Sequence, residues 1–344
     1  MAAVIASTGM TREVRTVTAA DTSFLLRSYG SGAGVPVLLL HGVPETSSAW
    51  RDLAPVLAVG RRVLAPDLPG LGGSSYSGPY DVPSLVTQLA ALVDSEVAGA
   101  VDLVGHDWGG SLALALAGAR PDLVRRLCVA NAPYRSVPMH RALHIPFFAL
   151  PAVPEALFRL GGQRVVRAMI DFAWRSDPAL DEERRAEYAA AYTDPLKVKA
   201  MLGYYRAVSR PVFAGLVRGR SPLARRTGAG GSDVPIAATR RGVRAEQMLV
   251  LWGALDPVLP VSTGESVVRD LGPSCRLVTV PGAGHFVIEE APDVVAEVLV
   301  DFLASDLPAH GPSAAPPVEV TLPPSLREGP DTPAPAAVTV DAEG

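Results

Sequence analysis

Asp107 stands between Gly105 and Gly109 in VDLVGHDWGG, directly after the apolar run of Val101, Leu103 and Val104. A buried strand followed by a reactive side chain with a small residue two positions to either side has the spacing of a sharp strand-to-helix turn, which exposes its central residue. A carboxylate there does different chemistry from a serine. With a reference pKa of about 3.9 it is already an anion at neutral pH and needs no base to activate it. Its attack on an acyl carbon would give an energetic mixed anhydride, whereas attack on a saturated carbon bearing a leaving group gives an ordinary alkyl ester. The matching electrophiles are an epoxide and a carbon–halogen bond.

Three further stretches fit the same machinery. HGVPETSSAW (41–50) follows VPVLLL, and its glycine-containing turn can aim a backbone N–H back over a sheet. LWGALDPVLP puts Asp256 after a strand, and PGAGHF puts His285 after the next one. An imidazole oriented by a carboxylate is a base able to activate water. Each residue also has a plainer reading. Asp107 could cap the helix that follows it, Asp256 could cap a helix beginning near Val258, for which Pro257 is suited, and His285 could be an ordinary loop histidine. His41 and His106 flank turns of the site and are expected to hydrogen-bond backbone rather than touch a substrate. The histidines lack ligand spacing and neither cysteine has a partner motif, so no metal site and no cofactor is expected.

These residues need a scaffold that brings strand ends together. Short apolar runs, each ending in a Gly/Pro/Asp loop, recur as VPVLLLHG, RRVLAPDLPG, VDLVGHD, LVRRLCVANAP, EQMLVLWGALD and CRLVTVPGAGH. Interleaved with helical patterns, they predict an α/β fold: a mostly parallel sheet flanked by helices, with chemistry at the carboxyl ends of the strands. The helix after Asp107 should stop at Arg120–Pro121. Between residues 134 and 242 the strand rhythm gives way to EALFRLGGQRVVRAMIDFAW and DEERRAEYAAAY, which read as amphipathic helices. The expected organisation is a core of residues 12–133 and 243–304 with an inserted helical cap, 134–242. GRSPLARRTGAGGSDVPIAATRRG, within that cap, is expected to be a long mobile loop. The Pro/Ala-rich tail, 305–344, is expected to remain disordered for want of residues to bury.

The chain has 344 residues and a net charge of −4, with no long Lys/Arg block, which argues against nucleic acid as a partner. Two scattered cysteines, Cys128 and Cys275, read as reduced core residues rather than a disulfide framework. No stretch approaches a membrane span and the first ten residues lack signal-peptide character, so a cytoplasmic protein is expected.

The four motifs, in the order nucleophile, acid, histidine, resemble those of the α/β-hydrolases. From about Arg12 to Ala304 the chain is similar to the branch that contains epoxide hydrolases and haloalkane dehalogenases, and most to the epoxide hydrolases. The resemblance implies that Asp107 forms a covalent alkyl ester, that His285, oriented by Asp256, activates the water that hydrolyses it, and that the backbone N–H groups of Val43 and Trp108 hold the oxyanion. Epoxide hydrolases carry two cap tyrosines that donate to the epoxide oxygen. One lies in a motif similar to Gly203-Tyr204-Tyr205-Arg206-Ala207, which points to Tyr205, although either tyrosine of MLGYYRAV could face inward. The other normally lies seven residues before a Pro, and counting back from Pro151 reaches His144. Some bacterial epoxide hydrolases resemble the chain in pairing His with Tyr, and fluoroacetate dehalogenases carry similar positions.

Halide release asks for N–H donors around a soft anion. Trp108 matches the Trp that follows the nucleophile in haloalkane dehalogenases, but Val43 stands where their Asn would be. Fluoroacetate dehalogenases have an Arg after the nucleophile and another three residues later, where this chain has Trp108 and Ser111. Glu45, in HGVPE, is more similar to epoxide hydrolases. The implied reaction is cofactor-independent hydrolysis of a small apolar or mixed epoxide by water to a vicinal diol. A hydrolytic haloalkane dehalogenase and a non-catalytic ligand-binding α/β fold are the alternatives, the latter disfavoured by an intact nucleophile, acid and histidine.

Overall fold

The computed structural model describes residues 12–134, 142–217, 242–304 and 318–319. Strand β1 (Arg12–Ala19) runs antiparallel to β2 (Thr22–Leu40), which reverses through its glycine-rich middle. Its first half pairs antiparallel with β3 (Arg61–Pro66), from Leu26 opposite Pro66 to Tyr29 opposite Val63, and its second half meets β3 again at Val37–Val63 and Leu38–Leu64. That second half, Val37–Leu40, starts the parallel part of the sheet, which continues through β4 (Val101–His106), β5 (Val124–Ala130), β6 (Gln247–Gly253) and β7 (Cys275–Val280). β8 (Val318–Glu319) pairs in parallel with β7. Two residues of the tail expected to be disordered therefore join the sheet. Edge pairing is made by backbone and requires no buried side chain.

Every residue of β4 is buried, as expected of a parallel strand covered on both faces. Its one acidic residue, Asp102, is taken up by Arg125 at 2.8 and 2.5 Å. On the faces and edges of the sheet lie helices α1 (Leu53–Leu57), α2 (Val82–Glu96) and α3 (Trp108–Ala119). α3 ends at Arg120, where Pro121 follows.

Among the described residues between β5 and β6 there are five helices: α4 (His144–Ala149), α5 (Val153–Gly161), α6 (Gln163–Ala173), α7 (Glu182–Ala191) and α8 (Pro195–Val217). Gly162, at φ 53° and ψ −136°, divides what the apolar period suggests as one helical stretch into α5 and α6. Asp181 caps α7, accepting from the Arg184 N–H at 2.9 Å. The expected long loop at 219–242 lies, apart from Gly242, outside the described residues. Helix α9 (Val261–Leu271) follows β6, and α10 (Val287–Glu290) and α11 (Pro292–Ala304) follow β7. No described helix is long and apolar enough to cross a membrane.

Candidate active site

The carboxyl ends of β2, β4, β6 and β7 converge on one point. Asp107, between β4 and α3, has φ 49° and ψ −119°, a conformation that L residues avoid and that surrounding structure must hold in place. The hold is visible: the Asp107 N–H donates to the Ala130 carbonyl and the Ser111 N–H to the Asp107 carbonyl, each at 3.0 Å. Small neighbours are a condition of the turn. A Cβ on Gly109 would come within 2.3 Å of the Leu40 carbonyl oxygen, and one on Gly42 within 2.6 Å of the Asp107 Cβ.

The Asp107 carboxylate makes no capping hydrogen bond to α3, so the helix-cap reading of this residue does not hold. Oδ1 instead accepts from the Val43 N–H at 3.0 Å, and Oδ2 lies 3.4 Å from His285 Nε2. Trp108 is the first residue of α3, at the helix end whose N–H groups have no intrahelical acceptor.

His285 Nδ1 is 2.7 Å from Asp256 Oδ2. The other oxygen, Oδ1, accepts from the Val258 and Leu259 N–H groups at 2.7 and 2.9 Å, and the helix begins at Val261 rather than near Val258. Asp256 therefore shapes its own turn and orients the histidine at once. A residue that sequence reasoning missed completes the arrangement: Asn131, just after β5 at φ 43°, donates from Nδ2 to Asp256 Oδ2 at 2.6 Å and accepts the Gly253 N–H at 3.2 Å. The available signal was a polar residue ending the apolar run LCVAN.

Burial disfavours charge on His285, but Asp256 and Asp107 outweigh it and raise the imidazole well above its ordinary value. Burial likewise opposes ionisation of both carboxylates, yet His285 holds each below the ordinary carboxylate range. The resting site is thus an imidazolium between two carboxylates. His41 and His106 support the turns, as expected. His41 Nε2 accepts the Leu68 N–H at 2.9 Å while its Nδ1 donates to the Gly42 carbonyl at 2.7 Å, a neutral tautomer consistent with a value lowered by burial. His106 Nε2 donates to the His285 carbonyl at 2.8 Å.

A cavity opens above Asp107. Trp108, Pro133, Ile145, Val258 and Leu259 give it an apolar wall, and Asp107, Ser111, His144 and Tyr205 are its polar members. Of the two adjacent tyrosines Tyr205 faces the cavity, whereas Tyr204 donates to the Pro69 carbonyl at 2.8 Å. His144 packs edge-on against Tyr205 at 5.8 Å and Trp108 does so at 5.3 Å. Burial lowers His144 to about 4, leaving a neutral ring at neutral pH. Burial and the Asp107 charge raise Tyr205, keeping the phenol protonated. Among the described residues no group of three or more His, Cys, Asp or Glu is placed to hold a metal ion.

Residues 37–298 match the family described as the alpha/beta hydrolase family. The chain belongs to the alpha/beta hydrolase family. Over 287 residues this hydrolase is 28% identical to epoxide hydrolase 3 of Xenopus tropicalis, covering 80% of this chain and 72% of that protein. Over 283 residues it is 31% identical to 2-hydroxy-6-oxo-2,4-heptadienoate hydrolase of Pseudomonas putida, covering 80% and 91%. Among solved structures, that of epoxide hydrolases found in metagenomes from hot environments matches with a TM-score of 0.68 and 27% identity, over 86% of this chain and 100% of that one. The relatives thus agree on hydrolysis and differ in substrate.

Proposed function

We propose that this hydrolase converts an epoxide to a vicinal diol through a covalent ester on Asp107. The observation that carries this reading is the pairing, in one cavity, of a carboxylate at the strand-to-helix turn with the neutral donors Tyr205 and His144. A carboxylate suits a saturated carbon, and an epoxide oxygen, which stays on the substrate as it leaves, needs a neutral proton donor near it.

Asp107 Oδ2 attacks a ring carbon as the C–O bond breaks, and the freed oxygen takes a proton from Tyr205, with His144 donating a hydrogen bond. Oδ1, in contact with the Val43 N–H, becomes the ester carbonyl oxygen. Esterification removes one of the two negative charges that hold the His285 proton. That proton makes good the one lost by Tyr205, and the neutral imidazole is left able to act as a base. It accepts a proton from water as the water oxygen adds to the Asp107 carbonyl carbon. Val43 and Trp108 N–H groups then hold the oxyanion, each such donor being worth about 3 kcal/mol. Collapse of the tetrahedral intermediate breaks the bond to the substrate, which leaves as the diol with a proton from the new carboxyl.

The test is intact-protein mass spectrometry of a His285→Gln variant incubated separately with epoxides and with haloalkanes. Without its base the enzyme should retain the ester, and the expected mass increase is that of a whole epoxide. An alkyl adduct lacking its halogen would instead assign a hydrolytic dehalogenase, and no adduct from either set would favour a ligand-binding role.

A further inference from the structure

Two carboxyl groups meet behind the site. The Glu45 and Glu289 side chains are 0% and 1% exposed. Glu45 Oε2 accepts the Gly42 N–H at 2.7 Å and lies 2.8 Å from His106 Nδ1, whose ring reaches the His285 carbonyl through Nε2. Glu289, in α10, accepts on Oε1 from the Tyr188 hydroxyl of α7 at 2.8 Å, with Arg184 of the same helix at 3.5 Å. The remaining oxygens, Glu45 Oε1 and Glu289 Oε2, are buried and have no donor, although the two carboxyls lie within hydrogen-bonding reach of one another.

Two ionised carboxylates in contact and out of water repel each other strongly, and an oxygen stripped of both water and donor carries its full desolvation cost. One proton between them removes both problems. Glu45 is the acceptor of the pair, because its other oxygen already takes the Gly42 N–H and faces the ring of His106. We propose that Glu289 is a neutral carboxylic acid that donates its O–H to Glu45 Oε1 and thereby acts as a positioning residue for His285 and the Gly42–Val43 turn.

The path is short. Glu289 fixes Glu45, which fixes the N–H of Gly42 beside the Val43 donor and orients His106, and His106 holds the backbone of His285. Burial first and the Glu45 charge second push Glu289 well above the carboxylate range, while Glu45 is lowered against burial by His106. The protonation stands apart from the proposed reaction, whereas the benefit to catalysis rests on it.

Infrared spectra of protein with 13C-labelled glutamate test the proton directly. The difference between wild type and Glu289→Gln at neutral pH should contain a protonated-carboxyl band that shifts in D2O, and its absence would overturn the proposal. NMR tests the positioning. Glu289→Gln, with an amide N–H in place of the O–H, should leave the Gly42 amide and His106 ring resonances in place, and Glu289→Leu should move both. Disturbance by Gln, or none by Leu, would count against the assignment, and the Gln result decides if the Leu variant does not fold. With styrene oxide as the probe, ester hydrolysis should slow about tenfold in Glu289→Leu and stay unchanged in Glu289→Gln. A wild type that does not open styrene oxide or any other epoxide would refute the proposed function, while the infrared and NMR outcomes would still decide Glu289.

Discussion

In the proposed reaction Asp107 attacks as the anion it already is, so the groups around it divide the labour differently from those around a serine. Tyr205 is proposed to serve bond breaking and His285 ester hydrolysis. Tyr205→Phe should therefore slow ester formation from an epoxide by about 10² or more, and barely affect a haloalkane, in rapid-quench measurements of the covalent species. Asp107→Ala should abolish adduct formation while leaving the circular dichroism spectrum unchanged. His144, lowered to about 4 by burial, stays neutral as pH falls from 8 to 5, so ester formation should show no titration of this ring over that range. Asn131→Leu removes one of two donors to Asp256 Oδ2. It should lower turnover by about tenfold, and a fall in KM alone would count against this role.

Elements place these side chains with little tolerance. The turn around Asp107 works because three backbone segments approach where Gly105, Gly109 and Gly42 have no side chain. Gly109→Ala drives a methyl into the Leu40 and His41 carbonyl oxygens, at 2.3 and 2.5 Å, and neither belongs to a flexible side chain. A loss of about 3 kcal/mol is expected, read as a lower urea midpoint at unchanged slope. Helix α7 meets the core through partly exposed ion pairs, Arg27 and Arg51 with Glu187 and Arg184 with Asp52, and by the buried Tyr188–Glu289 hydrogen bond. Exposed pairs are individually weak, about 0–1 kcal/mol, so Glu187→Gln should change the melting temperature little where Tyr188→Phe lowers it measurably.

At the scale of the whole molecule, stability against pH follows from the imidazolium and its two carboxylates. The His285 contribution is complete below its unfolded value of about 6.5 and disappears as pH rises through its raised folded value. Those of Asp107 and Asp256 are complete above about 3.9 and disappear as pH falls through their lowered folded values. The advantage of wild type over His285→Gln in thermal melts should therefore narrow towards alkaline pH. The sequence was informative where a polar residue ends an apolar strand, as Asp107, Asp256 and His285 do. The fold follows from the same runs, apart from the reversal inside β2. Asn131 also ends such a run, yet its role, like that of Glu289, was opaque, because it lies in partners brought close only by the fold: Asn131 is 125 residues from Asp256. Tyr205 needed helical phase that the repeated tyrosine left open.

The helices that carry His144 and Tyr205 leave the sheet after β5 and return at β6, and these two strands are neighbours, with Arg126 opposite Gln247. The stretch between them therefore begins and ends at adjacent points, and exchanging it leaves the order of strands untouched. Asp107, Asp256 and His285 lie outside that stretch together with most of the apolar wall, whereas the proposed proton donors His144 and Tyr205 lie within it. Exchange of that stretch would replace Ile145 and the proposed donors His144 and Tyr205 while leaving Asp107, Asp256 and His285 in place.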